Sequence, residues 1–243
     1  MNCYYSISQY PGTTGKYYYS WFFDKHGIDA TYVPIGCDPG EFDVVMTDLL
    51  NKPDTFGISI SMPYKTRVIK YCTTIASSVS DYNSCNTIVV NSSWYTGHNC
   101  DLSGVIGVIS GVDLNTSISV LGNGAMGKMF YGYLQQSKYT NVKLYSRSMG
   151  NWEDRHTSTE IIINCTALGT SSSGSPLNQI PDGVTRVIDL SVNETELSHQ
   201  CFINSVKYTG GMEFYRYQFI DQFKKYTGIT IEPTQFEIAK NQR

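Results

Sequence analysis

The chain has little charge for its length. Of 243 residues, 18 are Lys or Arg and 21 are Asp or Glu, 16% in all, and no Lys/Arg-rich run occurs. A net charge of −3 and a pI of about 5.8, with no basic stripe to meet a phosphate backbone, argue against nucleic acid as a partner. No apolar run approaches the ~18 residues of a spanning helix, so no membrane segment is expected. The start, Met1-Asn2-Cys3-Tyr4-Tyr5, has neither a basic nor an apolar leader region, so no signal peptide is expected. The seven cysteines are dispersed, odd in number and nowhere spaced C-x-x-C. That pattern argues against a disulfide framework and against a zinc site, and it fits a reducing compartment. A soluble cytoplasmic protein without a metal is the expectation.

What is plentiful is apolar and aromatic material. The length suits one large or two small domains, hydrophobic residues make up 41% of the chain, enough for real cores, and 19 residues are tyrosine. Tyrosine is expected at boundary positions, with the ring half buried and the hydroxyl wet. The first half alternates between helical and extended patterns. Lys16 to His26 has aromatics at helical spacing and Gly27 as a stop. Ala30 to Ile35 reads as a strand, Glu41 to Asn51 as a helix and Phe56 to Ser61 as a strand. A helix is expected to start in Thr66 to Cys72, and Asn86 to Val90 reads as a strand. Leu102 to Ile109 reads as a helix with Leu102, Val105, Ile106 and Ile109 on one face.

A composition shift follows at Gly111-Val112-Asp113, and a second series begins at Ser117. Strands are expected at Ser117 to Leu121, Val142 to Tyr145, Glu160 to Asn164 and Val184 to Leu190, with a helix from Gly124 to Gln136. The serine-dense stretch Ser171 to Pro176 reads as a loop. Met212 to Tyr226 reads as a helix whose Tyr215, Phe219, Phe223 and Tyr226 share a core face. Alternation of this kind defines the α/β class, with helices on the faces of parallel or mixed sheets.

One motif carries chemistry by itself. Gly122-Asn123-Gly124-Ala125-Met126-Gly127 is a G-x-G-x-x-G placed between an apolar strand and a helix, the context of a dinucleotide-binding turn. Gly122 permits the tight turn, Gly124 the approach of a pyrophosphate, and Gly127 close helix–strand packing, while the helix N-terminus offers N–H groups to the phosphates. The next strand ends at Tyr145-Ser146-Arg147-Ser148. An acid there would take the 2′-hydroxyl of NAD; Arg147 instead suits the 2′-phosphate of NADP.

Other candidates are bland singly. Lys65, after the Ser61-Met62-Pro63-Tyr64 turn, would serve as a general acid or base or stabilise an alkoxide, but a lone lysine is ordinarily a solvated charge. Asp101, in Gly97-His98-Asn99-Cys100-Asp101, reads equally as a helix cap, and Asn86 as a turn residue.

Together, and in this order, GISISMPYK, SCNT, GHNCD, the glycine turn, INCTALGT and the Gln218 helix resemble the shikimate dehydrogenases nearly end to end. The resemblance implies two domains: a substrate domain of residues 1–103 plus 213–243, and a Rossmann-type NADP domain of residues 104–212, with the C-terminal helix returning to the first. It implies Lys65 and Asp101 as the reacting pair, and substrate contacts from Asn86, Ser61, Gln218 and Thr13. It places Ser146, Arg147, Thr166 and Gly211 with the cofactor. The family reaction is NADP-linked interconversion of 3-dehydroshikimate and shikimate, a step of aromatic amino acid biosynthesis, by a monomer or homodimer acting on a small molecule.

There are departures. Gly15 stands where the family carries a second carboxylate-binding serine, and Val192 where it carries a tyrosine. The stretch from Arg147 to Glu160 is short, which implies a trimmed helix. Two readings therefore stand beside the enzyme: a non-catalytic relative that binds metabolite or nucleotide, and a folate-linked dehydrogenase on a similar two-domain plan.

Overall fold

The structure is a computed structural model, and it describes residues 1–169 and 172–243. The strands are β1 (Asn2–Ser8), β2 (Ala30–Gly36), β3 (Thr55–Ile60), β4 (Thr74–Ile75), β5 (Thr87–Asn91), β6 (Trp94–His98), β7 (Ile118–Leu121), β8 (Val142–Tyr145), β9 (Ile161–Asn164), β10 (Arg186–Asp189) and β11 (Lys207–Thr209). The helices are α1 (Thr14–Lys25), α2 (Phe42–Asn51), α3 (Ser77–Ser80), α4 (Asp101–Ile109), α5 (Ala125–Gln136), α6 (Glu196–Ile203), α7 (Gly211–Thr227) and α8 (Pro233–Asn241). The chain divides into two compact units, Met1–Asp101 with Gln218–Arg243, and Leu102–Tyr217, so both divisions fall within helices, α4 and α7.

The first unit is built on a six-stranded mixed sheet of order β2-β1-β3-β5-β6-β4. β1 pairs in parallel with β2 and β3, and β5 runs antiparallel to β3 and β6. One face is covered by an aliphatic core that includes Ile7, Met46, Ile58, Ile60, Val68 and Ile88. The other meets a layer of aromatic rings. Tyr19 stacks on Tyr32 at 4.1 Å and 5° between planes, and Tyr18 stacks on Phe236 at 4.5 Å. Tyr4 and Tyr226 lie 5.1 Å apart, and Phe219 and Phe223 of α7 are fully buried against the same layer.

The tyrosines correct the expectation of half-buried rings. Tyr4, Tyr5, Tyr18, Tyr19, Tyr32, Tyr64 and Tyr226 all lie in the core. Their hydroxyls are compatible with burial because the interior offers acceptors: Tyr4 donates to the Tyr226 carbonyl at 3.3 Å, and Tyr226 shares a 3.0 Å hydrogen bond with Ser59.

The second unit is an all-parallel sheet of order β11-β10-β9-β7-β8. Its central strands are apolar on both faces, as expected where helices cover both sides: Ile161, Ile162 and Ile163 are all buried, as are Ile118, Val120 and Leu121. Between Arg147 and Glu160 there are only two 3₁₀ turns, Arg147–Met149 and Trp152–His156, where a helix was expected to be cut short.

Other differences from the sequence reading are local. Ile106 does not join the buried face of α4, which is Val105, Val108 and Ile109. The stretch after Thr66 is a 3₁₀ turn, Arg67–Tyr71, rather than the start of an α-helix. Of the serine-dense stretch, Ser171 lies outside the described residues, as does Thr170. Among the described residues, no helix is long and apolar enough to cross a membrane.

Candidate active site

Lys65 is positioned by its neighbour. Tyr64 is 1% exposed, stacks on Phe42 at 4.4 Å and donates its hydroxyl to the Cys37 carbonyl. That anchor fixes the turn after β3, and the N–H of Cys85 bonds the Lys65 carbonyl at 2.8 Å. Asp101 opens α4, where the helix dipole favours a carboxylate. Its own N–H donates to Asn99 Oδ1 at 3.2 Å.

These placements bring the predicted pair together. Lys65 Nζ donates to Asp101 Oδ2 at 2.6 Å. The carboxylate side chain is 3% exposed and the lysine side chain 23%. The second carboxylate oxygen is also engaged: Asn86 Nδ2 donates to Asp101 Oδ1 at 2.8 Å. Asn86 is held in turn, its Oδ1 accepting from the Cys100 N–H at 2.8 Å and from the Thr87 hydroxyl at 2.7 Å. Both oxygens of this buried carboxylate are thus engaged, one by a charge-assisted and one by an amide hydrogen bond, which offsets the cost of its burial. The ammonium, by contrast, keeps an accessible side and protons to donate.

The remaining predicted substrate residues are less occupied. Ser61 is exposed at the end of β3, and its N–H donates to the Ile7 carbonyl at 2.9 Å. Thr13 is exposed and precedes α1, its carbonyl accepting from Tyr17 N–H at 3.0 Å. Gln218 is half-buried on α7. Gly15 has a physical explanation. A Cβ there would lie 3.1 Å from Tyr32 Cε1 and 3.3 Å from its hydroxyl, so Tyr32 fills the space of the missing side chain. Burial pushes the Tyr32 hydroxyl's pKa up, and the nearby Ser59 and Ser6 oppose that push.

One turn beyond Gln218, Gln222 is 5% exposed and bonded directly to the site's framework, a role the sequence reading did not assign to it. Its Nε2 donates to Thr87 Oγ1 at 2.7 Å and to the Asn86 carbonyl at 3.3 Å, and Tyr19 donates to its Oε1 at 2.8 Å. The available signal was a polar residue between Phe219 and Phe223 on a face otherwise aromatic.

In the second unit the glycine turn has the steric form a nucleotide needs. Gly122 has φ +101°, and a Cβ on Gly127 would run into the Gly122 carbonyl oxygen, so strand and helix meet at a distance only glycine allows. No side chain caps α5, whose N-cap is Gly124. A cavity of about 490 Å³ adjoins the turn, lined by Gly122, Asn123, Gly124, Arg147, Trp152 and Thr166 among others. Arg147 is exposed, with its guanidinium 5.9 Å from the Trp152 ring centre. Ser146 is buried, shares a 3.0 Å hydrogen bond with Ser148, and caps the following turn through Met149 N–H at 3.2 Å. Thr166 spends its hydroxyl on Asn164 Oδ1 at 2.7 Å, which shapes the loop after β9. Ala125, Met126 and Gly127 form the first turn of α5 behind this cavity's lining. Gly211 lies apart from it, on a second cavity of about 580 Å³ with Ser191 and Val192. The glycine cradle, the uncapped helix start and the cation at the end of β8 fit a dinucleotide carrying an extra phosphate.

Fold and site thus define an α/β protein of two units, one with a Lys–Asp–Asn cluster and one with a glycine turn of the form that suits a dinucleotide. Residues 16–88 match the family model described as "Shikimate dehydrogenase substrate binding domain". The chain is 23% identical over 252 residues to the shikimate dehydrogenase (NADP(+)) of Dictyoglomus thermophilum, covering 93% of this chain and 90% of that protein. Among solved structures, it resembles a chorismate mutase/shikimate 5-dehydrogenase fusion protein from Clostridium acetobutylicum with a TM-score of 0.87 at 20% identity, covering 100% of this chain and 97% of that one. It also resembles the shikimate 5-dehydrogenase of Thermus thermophilus in complex with NADP(H) and shikimate, with a TM-score of 0.83 at 16% identity and coverage of 100% and 99%. The chain is thus similar, over its substrate-domain match and over nearly its full length, to shikimate dehydrogenases.

His98 of β6 generates a pH prediction. Burial, and then the charge of Lys225, hold its imidazole pKa below the usual value. The folded chain therefore binds fewer protons than the unfolded one once the pH falls toward ~6.5, the ordinary histidine value, and stability is lost in that direction. The melting temperature is expected to fall between about pH 7.5 and about pH 5.5, either side of that value, more steeply in the wild type than in His98→Asn. Parallel curves would remove His98 as the cause.

Proposed function

We propose that the chain is an NADP-dependent oxidoreductase that interconverts 3-dehydroshikimate and shikimate, or a close cyclic polyhydroxy acid. The observation that carries this reading is the 2.6 Å contact of Lys65 with an Asp101 carboxylate whose other oxygen is held by Asn86. The similarity to shikimate dehydrogenases supports the substrate class, and the NADP(+) in the relatives' names agrees with Arg147 at the end of β8.

When bound, the reduced nicotinamide supplies the hydride that the carbonyl carbon receives. The protein's own residues manage the proton and the pose. Lys65 Nζ donates a proton to the carbonyl oxygen as charge develops there, and in the reverse direction accepts it from the hydroxyl. Asp101 aims the lysine and accepts a hydrogen bond from the reacting or neighbouring ring hydroxyl. Asn86 keeps the carboxylate from rotating. Ser61, Thr13 and Gln218 supply further hydrogen bonds to the ring substituents and the carboxylate, and the space that Tyr32 takes beside Gly15 reshapes the carboxylate end of the pocket.

The test is absorbance at the reduced-nicotinamide band, with NADP and first shikimate, then quinate. Turnover of one of them is expected; folded protein that binds NADP yet turns over no such acid contradicts the proposal and favours a non-catalytic binder. Lys65→Ala is expected to lower kcat by at least ~10²-fold, the scale of general acid–base help, with NADP affinity unchanged by calorimetry. Activity equal to the wild type would remove Lys65 from the mechanism. Arg147→Ala is expected to weaken NADP by about tenfold or more, the scale of a charge-assisted hydrogen bond, and NAD by much less. Equal losses for the two cofactors would dismiss the 2′-phosphate contact.

A further inference from the structure

The hydrogen bonds behind Asn86 form a chain in which the donors and acceptors can be assigned. The Cys100 backbone N–H can only donate, so the Asn86 side-chain atom facing it at 2.8 Å is the oxygen. Asn86 therefore presents its NH₂ group to Asp101, at 2.8 Å. The Asn86 main-chain carbonyl can only accept, so the Gln222 atom facing it at 3.3 Å is the amide nitrogen. That same nitrogen meets Thr87 Oγ1 at 2.7 Å, which leaves the threonine's single proton for Asn86 Oδ1, also at 2.7 Å. The other end of Gln222 is then its oxygen, and Tyr19 donates to it at 2.8 Å. The sequence runs one way: Tyr19 hydroxyl, Gln222, Thr87, Asn86, Asp101, with Lys65 on the far carboxylate oxygen.

Every member behind the pair is buried. Tyr19 and Thr87 are 0% exposed, Asn86 1% and Gln222 5%. In such a setting an amide is costly to leave half-bonded, and each bond polarises the next. Without Gln222, the Thr87 proton is free to turn to Cys100 Sγ, which lies 3.3 Å from Thr87 Oγ1. Asn86 Oδ1 would then lose one of its two donors, and the amide that steadies Asp101 would loosen.

We infer that Gln222, with Tyr19 behind it, is a positioning residue for the Lys65–Asp101 pair, acting through Thr87 to fix the orientation of the Asn86 amide. Gln222 touches neither member of the pair. The proposal rests on the oxidoreductase reading for its effect on rate, but not for its effect on Asn86.

The test uses the full chain and two readouts. In the first, Gln222→Met, similar in volume and without hydrogen-bonding groups, is assayed with NADP and shikimate. A fall in kcat of about tenfold is expected, the size of one or two buried hydrogen bonds, with KM for shikimate changed less than kcat and NADP affinity unchanged. In the second, the Asn86 side-chain NH₂ is followed by ¹⁵N NMR without substrate. Slow exchange with water is expected in the wild type and fast exchange in Gln222→Met. Should that variant not fold, Thr87→Val breaks the same chain at the next link and is expected to give the same two changes. The double variant is expected to be no slower than the worse single one, because both act through one path. Unchanged kcat in the folded variants of an active enzyme, or an Asn86 amide that stays slow to exchange, overturns the proposal. A wild type that turns over no ring acid, with Asn86 loosened in Gln222→Met, keeps the relay and removes the oxidoreductase reading instead.

Discussion

The first unit is organised around one buried carboxylate. Asp101 lies at the start of α4 with a 3% exposed side chain, where an unpaired charge would cost several kcal/mol. Its stability there needs partners on both oxygens, and the fold supplies them from different parts of the chain: Lys65 from the turn after β3, and Asn86 from the residue before β5. Tyr64 stacked on Phe42 fixes the first, and the pairing of Thr87 with His98 across β5 and β6 fixes the second. The aliphatic side of the sheet and its aromatic side both serve this end, because a charge pair of this kind is useful only if its geometry is rigid.

The second unit solves a different problem with fewer side chains. Its glycine cradle is made by the absence of Cβ atoms at Gly122 and Gly127 and by the backbone of α5, and the cation at its rim, among the described residues, is Arg147 at the end of β8. After Arg147 the chain makes two 3₁₀ turns, and Trp152, which opens the second, stands in the cavity wall. Its ring lies 4.3 Å from the guanidinium of Arg155, a residue 8% exposed that is tied to the Pro176 carbonyl at 2.7 Å. The 3₁₀ turn that carries Trp152 is thus braced by Arg155.

How much of this was legible depended on whether the signal was local. The glycine turn was legible, because its chemistry is contained in six consecutive residues between a strand and a helix. The central strands β7 and β9 were legible as apolar runs. Lys65 and Asp101 were ambiguous one at a time and acquired meaning only through the order of six short motifs. β1 was missed because a central parallel strand shows no clean alternation, and its Cys3, Tyr4 and Tyr5 are buried on successive positions. The tyrosines were misplaced because a hydroxyl's partner, such as Ser59 for Tyr226, lies far away in sequence. Gln222 showed only as a polar residue on an aromatic face, and its role could not be read because its partners Thr87 and Tyr19 are 135 and 203 residues distant.

Everything proposed for the first unit requires that Lys65 and Asp101 meet the reacting hydroxyl together. A crystal soaked with shikimate and NADP would show this contact or its absence. A ring hydroxyl is expected within hydrogen-bond distance of both Lys65 Nζ and an Asp101 oxygen, with Asn86 still on the other. Shikimate bound elsewhere, or bound there with its hydroxyls turned away from both side chains, would contradict the assignment.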